Sequence, residues 1–373
     1  MSSVETKDNP SEESKYLPRS PFTHLIIIEP LGLLYGSSGR FLSPENLVGR
    51  SGSNFPPSTA TLSGLFAAAK QDTDIHDLML AGPFWGNVDE LTSKEQNFYV
   101  PTPKNYLVKN GKIVDKLSWS SKEEKWLNTE GETPVDKYEI NTWLAINDWN
   151  KASEVKQEVK QNPWKFLAHL HPRLELEERH VIRNYEEQGS LFLENSVQME
   201  TGTCLVYLSN TELEPGWYRF GGEGHMVDVR CEPICETLSE LFKKPVGNAF
   251  ALITPGVWGS NRLSKRIPIC LNTARHQNEE INEGTVWEIE ALFTARPIPF
   301  RYRLGNQDNE DKHPSQSPKL LSRGRYAVPT GTVYLLKEPI NQSWQDWNVN
   351  WFPKEGPSLK RWGCGLALPI SKK

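Results

Sequence analysis

The sequence predicts an α+β protein built on antiparallel sheet, and three observations predict it. A β-branched apolar run at 22–29 is followed by a glycine-rich stretch and then by one clear helix signal at 58–69. From 190 onward, short segments of apolar/polar alternation recur between Gly and Asn turns. The last third repeats the theme, and no short internal repeat points to a solenoid.

Taken in order, Phe22 to Glu29 reads as a buried strand ended by Pro30. Gly32 to Ser53 is irregular, with Gly36, Gly39, Gly49 and Gly52. Pro56 and Pro57 forbid helix before Ser58. Ser58 or Thr59 then suits an N-cap, and Leu62, Leu65, Phe66 and Ala69 recur at helical spacing. Phe98–Pro103 and Tyr106–Val108 read as short strands.

Between Lys116 and Arg179 the character changes: charge is high, and five of the 13 tryptophans fall there (Trp119, Trp126, Trp143, Trp149 and Trp164). This stretch, about 116–179, is expected to be a partly helical insertion docked on the body or on a partner. Strands are expected again at 190–193, 197–200, 204–208, 217–220 and 226–229. Ala249–Thr254 is stopped by Pro255, and Thr285–Ala295 and Gly331–Leu336 follow; Asn306–Ser317 is a polar loop. With 373 residues, the usual domain size of about 100–200 residues suggests two domains. We expect a disordered tail over 1–20, an N-terminal domain over 21–208 and a C-terminal domain over 209–373.

Composition excludes several classes. No run approaches the ~18 apolar residues of a membrane span, and the first 19 residues lack the apolar core of a signal peptide. Five cysteines do not make a disulfide scaffold, so a reduced, cytoplasmic setting is expected. The net charge of −5 argues against a polyanionic partner, but residues 257–373 hold 17 Lys/Arg against 11 Asp/Glu. The C-terminal third is therefore +6 and the remainder −11. Such asymmetry suggests an anionic partner for the basic part, with an ordinary solvated surface as the plain alternative.

Catalytic patterns are weak. Cys231 and Cys235 are four positions apart without a second cysteine pair, which is poor zinc spacing, so no metal site is expected. The eight histidines are scattered, and no phosphate loop, nucleophile elbow or HExxH is present. Neither catalysis nor a cofactor is indicated. Three glycine-centred or helix-start elements suit a phosphate better. Arg40 lies in the flexible Gly36–Ser43 stretch, and Ser58 and Thr59 open a helix whose free N–H groups attract an anion. Gly363 and Gly365 follow Lys360-Arg361-Trp362, where a phosphodiester would approach the backbone and Trp362 would stack on a base. Each also has an ordinary structural reading as a loop turn, an N-cap or a glycine-bearing strand.

Several blocks together carry a resemblance. Glu29-Pro30-Leu31, Gly39-Arg40-Phe41 and the Phe55-Pro56-Pro57-Ser58-Thr59 run come first. Phe220-Gly221-Gly222-Glu223-Gly224-His225, Thr254–Gly259 and Ala327–Tyr334 follow, with a C-terminal Gly-x-Gly. Over 22–110 and 185–368 the chain resembles the RAMP-superfamily third-subunit family of the Cmr complex, the type III-B CRISPR effector. The resemblance implies two ferredoxin-like (RRM-like) domains with antiparallel sheets. It also implies a non-catalytic subunit that grips the 5′ tag of crRNA. The implied protein partners are the large polymerase-like subunit and a backbone RAMP subunit.

Position by position, it assigns RNA contact to Arg40, Ser58, Thr59, Gly221, Gly222, Arg361, Gly363 and Gly365. His225 stands where the family carries an arginine. Charge alone adds Arg262, Lys265 and Arg266. The competing expectation is a metal-independent RAMP endoribonuclease with His24 or His225 as general acid or base.

Overall fold

The computed structural model describes residues 21–35, 55–70, 75, 77–151, 156–172, 191–222, 224–260, 263–269, 286–302 and 321–371. The expectations for the tail, for Arg40, for Arg262 and for the 306–317 loop lie outside the described residues.

The first predicted strand becomes the spine of the molecule. His24–Pro30 lies inside an eight-stranded sheet, antiparallel to Thr203–Ser209 on one side and to His225–Pro233 on the other. The order continues outward through Leu80–Asn87, Tyr99–Pro101, Trp143–Ala145 and Val159–Lys160 on the first side, and Gly216–Phe220 closes the second. Strands from both sides of residue 208 thus share one sheet.

Because side chains alternate across a strand, Ile26 and Ile28 face one way and Leu25 and Ile27 the other. Ile26 and Ile28 pack with Leu62, Leu65 and Phe66 of helix α1 (Thr59–Ala69). Leu25 and Ile27 pack with Phe84, Val206 and the aromatic core of the C-terminal part. Both faces being covered explains why 25–28 is unbroken apolar sequence. Burying each such side chain is worth about 1.5–3 kcal/mol.

The Leu80–Asn87 strand is central yet carries Gly82, Pro83 and Gly86, which is why sequence patterning does not show it. Gly82 sits at φ +129 where the register with the neighbouring strand shifts between Val206 and Leu208, a β-bulge. A side chain there would meet Tyr207 Cδ1 at 3.0 Å.

The second core surrounds a four-stranded sheet of Ile289–Phe293, Val333–Leu336, Ala249–Leu252 and Ala367–Pro369. Phe250 stacks on Tyr334 at 5.1 Å, and Trp258, Trp287 and Trp347 pack edge-on around them. A short helix α2 (Val88–Leu91) and helix α3 (Glu236–Lys243) complete the helices of the described residues.

The expectation of a partly helical insertion at 116–179 is corrected: its described residues are strands and one 3-10 turn at Ile146–Lys151. Trp143–Ala145 is a strand of the main sheet, and the Ser118–Ser120/Lys125–Leu127 hairpin lays Trp126 against Phe293 at 5.3 Å. Trp149 Nε1 donates to Pro369 O at 2.8 Å. Trp164–Pro172 pairs with a single longer strand, Leu191–Met199, where two short ones were expected. The fold is thus mostly antiparallel sheet with few helices.

Candidate functional site

Helix α1 begins where Pro56 and Pro57 end. Tyr207, buried in the sheet, donates its hydroxyl to Pro57 O at 2.6 Å and fixes the entry. Burial pushes its phenol well above the usual tyrosine range, which keeps it a donor. Ser58 is the N-cap by backbone geometry, but its hydroxyl makes no capping bond. The first-turn N–H groups of a helix lack partners within it and carry the positive end of its dipole.

Two other segments meet this helix start. The Gly221 turn, at φ +77, passes the first helical turn, where a Cβ added at Gly221 would lie 3.9 Å from Thr61 Cγ2. The C-terminal 3-10 turn Leu359–Trp362 arrives from the other side, and Thr59 Oγ1 donates to Trp362 O at 2.9 Å. Arg361 Nε donates to Leu78 O at 2.7 Å, just before the Leu80–Asn87 strand. Partial burial lowers the Arg361 pKa, opposed by the charge of Asp77. Nε is the only atom of that guanidinium bonded among the described residues, so its outer nitrogens remain for an anion.

The structure brings Ser58, Thr59, Gly221, Gly222, Arg361 and Gly363 to one locality. It also redistributes their parts. Thr59 spends its hydroxyl on Trp362, as above. Gly363, at φ +68, gives its N–H to Lys360 O, and a Cβ there would fall 2.5 Å from Ala81 Cα. Gly365 donates to Pro255 O, and the ring of Trp258 fills the space a side chain would need. These two glycines permit close packing of protein on protein, and their N–H groups are already used. Among the described residues the Ser58 hydroxyl, the Thr59 and Ala60 N–H groups, the Gly222 N–H and the outer nitrogens of Arg361 are left open, while Thr61 N donates to Ser58 O and Gly221 O accepts from Gly224 N.

Lys265 and Arg266 lie in and just after the short strand Ser264–Lys265, which pairs with Trp258–Gly259. Lys265 is the cross-strand partner of Trp258, and Arg266 is exposed while its carbonyl accepts from Tyr334 at 2.6 Å.

Beneath this locality runs a buried polar system that sequence reading missed. Trp362 packs edge-on against Tyr302 at 4.4 Å, and Tyr302 donates to Glu355 at 3.0 Å. Glu355 also pairs with buried Arg325 at 3.1 Å and accepts from Arg323 N. Lys360, only 7% exposed, donates to Gln345 O and Trp347 O and lies 5.5 Å over the Trp344 ring. Desolvation lowers its pKa to about 8, against the pull of Asp346. No spacing in the sequence announces these partners, since they come from separate loops.

Among the described histidines, His225 flanks the Gly221 turn and His24 opens the first strand. His24 Nδ1 lies 2.8 Å from Thr23 Oγ1, and His225 opens a strand opposite Phe220. Among the described residues no group of three or more His, Cys, Asp or Glu could hold a metal ion. Likewise, no helix among them is long and apolar enough to cross a membrane.

A family model described as CRISPR-associated protein (Cas_Cmr3) matches residues 46–372. No curated protein matches the sequence. Among solved structures, a chain of the type III-B Cmr-beta complex bound to cognate target RNA is similar at TM-score 0.41 and 10% identity. That match covers 83% of this chain and 86% of the other. A chain of the Csm1-Csm4 cassette in complex with AMPPNP follows at TM-score 0.32 and 8% identity, covering 85% and 89%. A chain of the Csm3-Csm4 subcomplex of the type III-A interference complex has TM-score 0.31 and 10% identity, covering 86% and 94%.

Proposed function

The chain belongs to the Cas_Cmr3 family of CRISPR-associated proteins, and on that footing we propose that it is a non-catalytic, RNA-gripping subunit of a type III-B effector. Its ligand in this reading is the 5′ tag of the crRNA. Its protein neighbours are the large polymerase-like subunit and a backbone RAMP subunit.

One observation carries the placement of the RNA: the Thr59–Trp362 hydrogen bond joins the start of α1 to the cationic C-terminal turn. Phosphates of a short single strand are held by Lys/Arg and by helix-start N–H groups, which needs no metal and no nucleophile. Ser58, Gly221–Gly222 and Arg361 supply such groups side by side, with Lys265 and Arg266 as more distant cations. Family membership supports a role in RNA-guided defence.

The test uses Ser58→Asp. Aspartate is as good an N-cap as serine, so the helix keeps its stability, while the new carboxylate repels a phosphate at the helix start. Filter binding of 5′-tagged RNA across a salt series is expected to show about tenfold weaker binding and a shallower salt slope. Unchanged affinity and slope would remove this surface as the RNA site. Repeat RNA incubated with the protein in EDTA is expected to stay intact. Cleavage abolished by His24→Ala would replace this reading with the endoribonuclease one.

A further inference from the structure

The outermost strand of the eight-stranded sheet, Gly216–Phe220, has no strand on its free side among the described residues. Its Tyr218 and Phe220 turn toward the α1 core. By alternation Trp217 and Arg219 face the opposite side, and Trp217 is 74% exposed. Arg219 stands opposite Met226, and Trp217 opposite Asp228, in the next strand. Leu31 donates its N–H to Met226 O, and Met226 and Leu31 are 42% and 49% exposed.

The C-terminal aromatic core covers the middle of this sheet face but not this margin, since Trp217, Met226 and Leu31 belong to neither core nor its packing shell. An uncovered tryptophan beside a methionine and a leucine is the composition of an interface anchor.

The charges decide what kind of partner fits. Arg230 is bonded to Glu29 at 2.9 Å and lies 3.5 Å from Asp228. With Arg219 added, the patch is formally neutral, so no field draws a polyanion here. Arg219 makes no ion pair among the described residues and calls for one carboxylate. The free strand side offers main-chain N–H and C=O groups to an added strand.

We propose that this margin docks an extended segment of another protein subunit, added as a ninth strand beside Gly216–Phe220. The segment places an apolar side chain on Trp217 and a carboxylate on Arg219. This rests on the reading that the chain works within a multi-subunit effector.

The experiment is photo-crosslinking in the reconstituted effector, with p-benzoylphenylalanine placed at position 217 in one preparation and at position 58 in another. A protein adduct from position 217, mapped to one segment of a neighbouring subunit, is the expected result, together with at least tenfold weaker co-assembly of Trp217→Ser and Arg219→Glu. RNA, a second copy of this chain, or nothing at position 217 overturns the docking proposal. RNA labelled from position 58 keeps the RNA reading alive in that case. A protein adduct at 217 without RNA at 58 sinks the RNA reading and leaves the docking surface standing.

Discussion

Thr59 and Trp362 are 303 positions apart, yet one hydrogen bond of 2.9 Å links the hydroxyl of the first to the carbonyl oxygen of the second. Thr59 is buried and Trp362 half-buried, so the bond is partly shielded from water. Thr59→Val keeps the shape and leaves the Trp362 carbonyl without this donor. A stability loss of about 1–2 kcal/mol is expected in denaturant unfolding. The same variant is expected to weaken tagged-RNA binding, because Arg361 and the helix start are no longer held together. A variant as stable as the parent would show that the bond contributes nothing.

Gly363 and Gly356 allow backbone strain to be separated from crowding. Both have positive φ, +68 and +72, but a Cβ at Gly356 meets nothing within 4 Å. At Gly363 it falls on Ala81 and 2.6 Å from Leu80 O. Gly356→Ala should cost about 1–2 kcal/mol, the price of left-handed backbone alone. Gly363→Ala should cost about 3 kcal/mol or more, or fail to give folded protein. Equal thermal shifts for the two would contradict the close approach.

Lys360 gives a pH signature. Below about 8 it is charged in the folded and the unfolded chain alike, and the cost of burying the charge is fully present. Between about 8 and the ordinary lysine value of roughly 10.4, the unfolded chain holds the proton that the folded chain has released. Stability therefore gains from this group as pH rises, by at most about 1.4 kcal/mol per unit. Compared with Lys360→Met, the parent should improve steadily from pH 8 to 10, with titrations common to both cancelling. Parallel stability curves would refute the depressed pKa.

Legibility in the sequence followed physical locality. The His24–Pro30 strand and α1 were readable because their apolar residues sit at the period of the element they form. The Leu80–Asn87 strand was not, because a bulge at Gly82 and a proline mimic a turn. Near the candidate site, Ser58 and Arg361 were visible as residue types suited to a phosphate, and Gly221 only through the family resemblance. That Thr59 and Gly363 serve the protein instead depends on Trp362 and Ala81, which only the folded chain brings near. Glu355, Tyr302 and Lys360 were illegible for the same reason: each draws its meaning from distant loops.

The interleaving of early and late strands in one sheet has a practical corollary for anyone dividing the molecule. A fragment stopping at Ser209 would keep His24–Pro30 but lose His225–Pro233, its partner along seven residues. Ile26, Ile27 and Ile28 would then line a bare, sticky border prone to precipitate. Soluble halves are to be sought only from cuts that leave the His225–Pro233 segment with the amino-terminal piece.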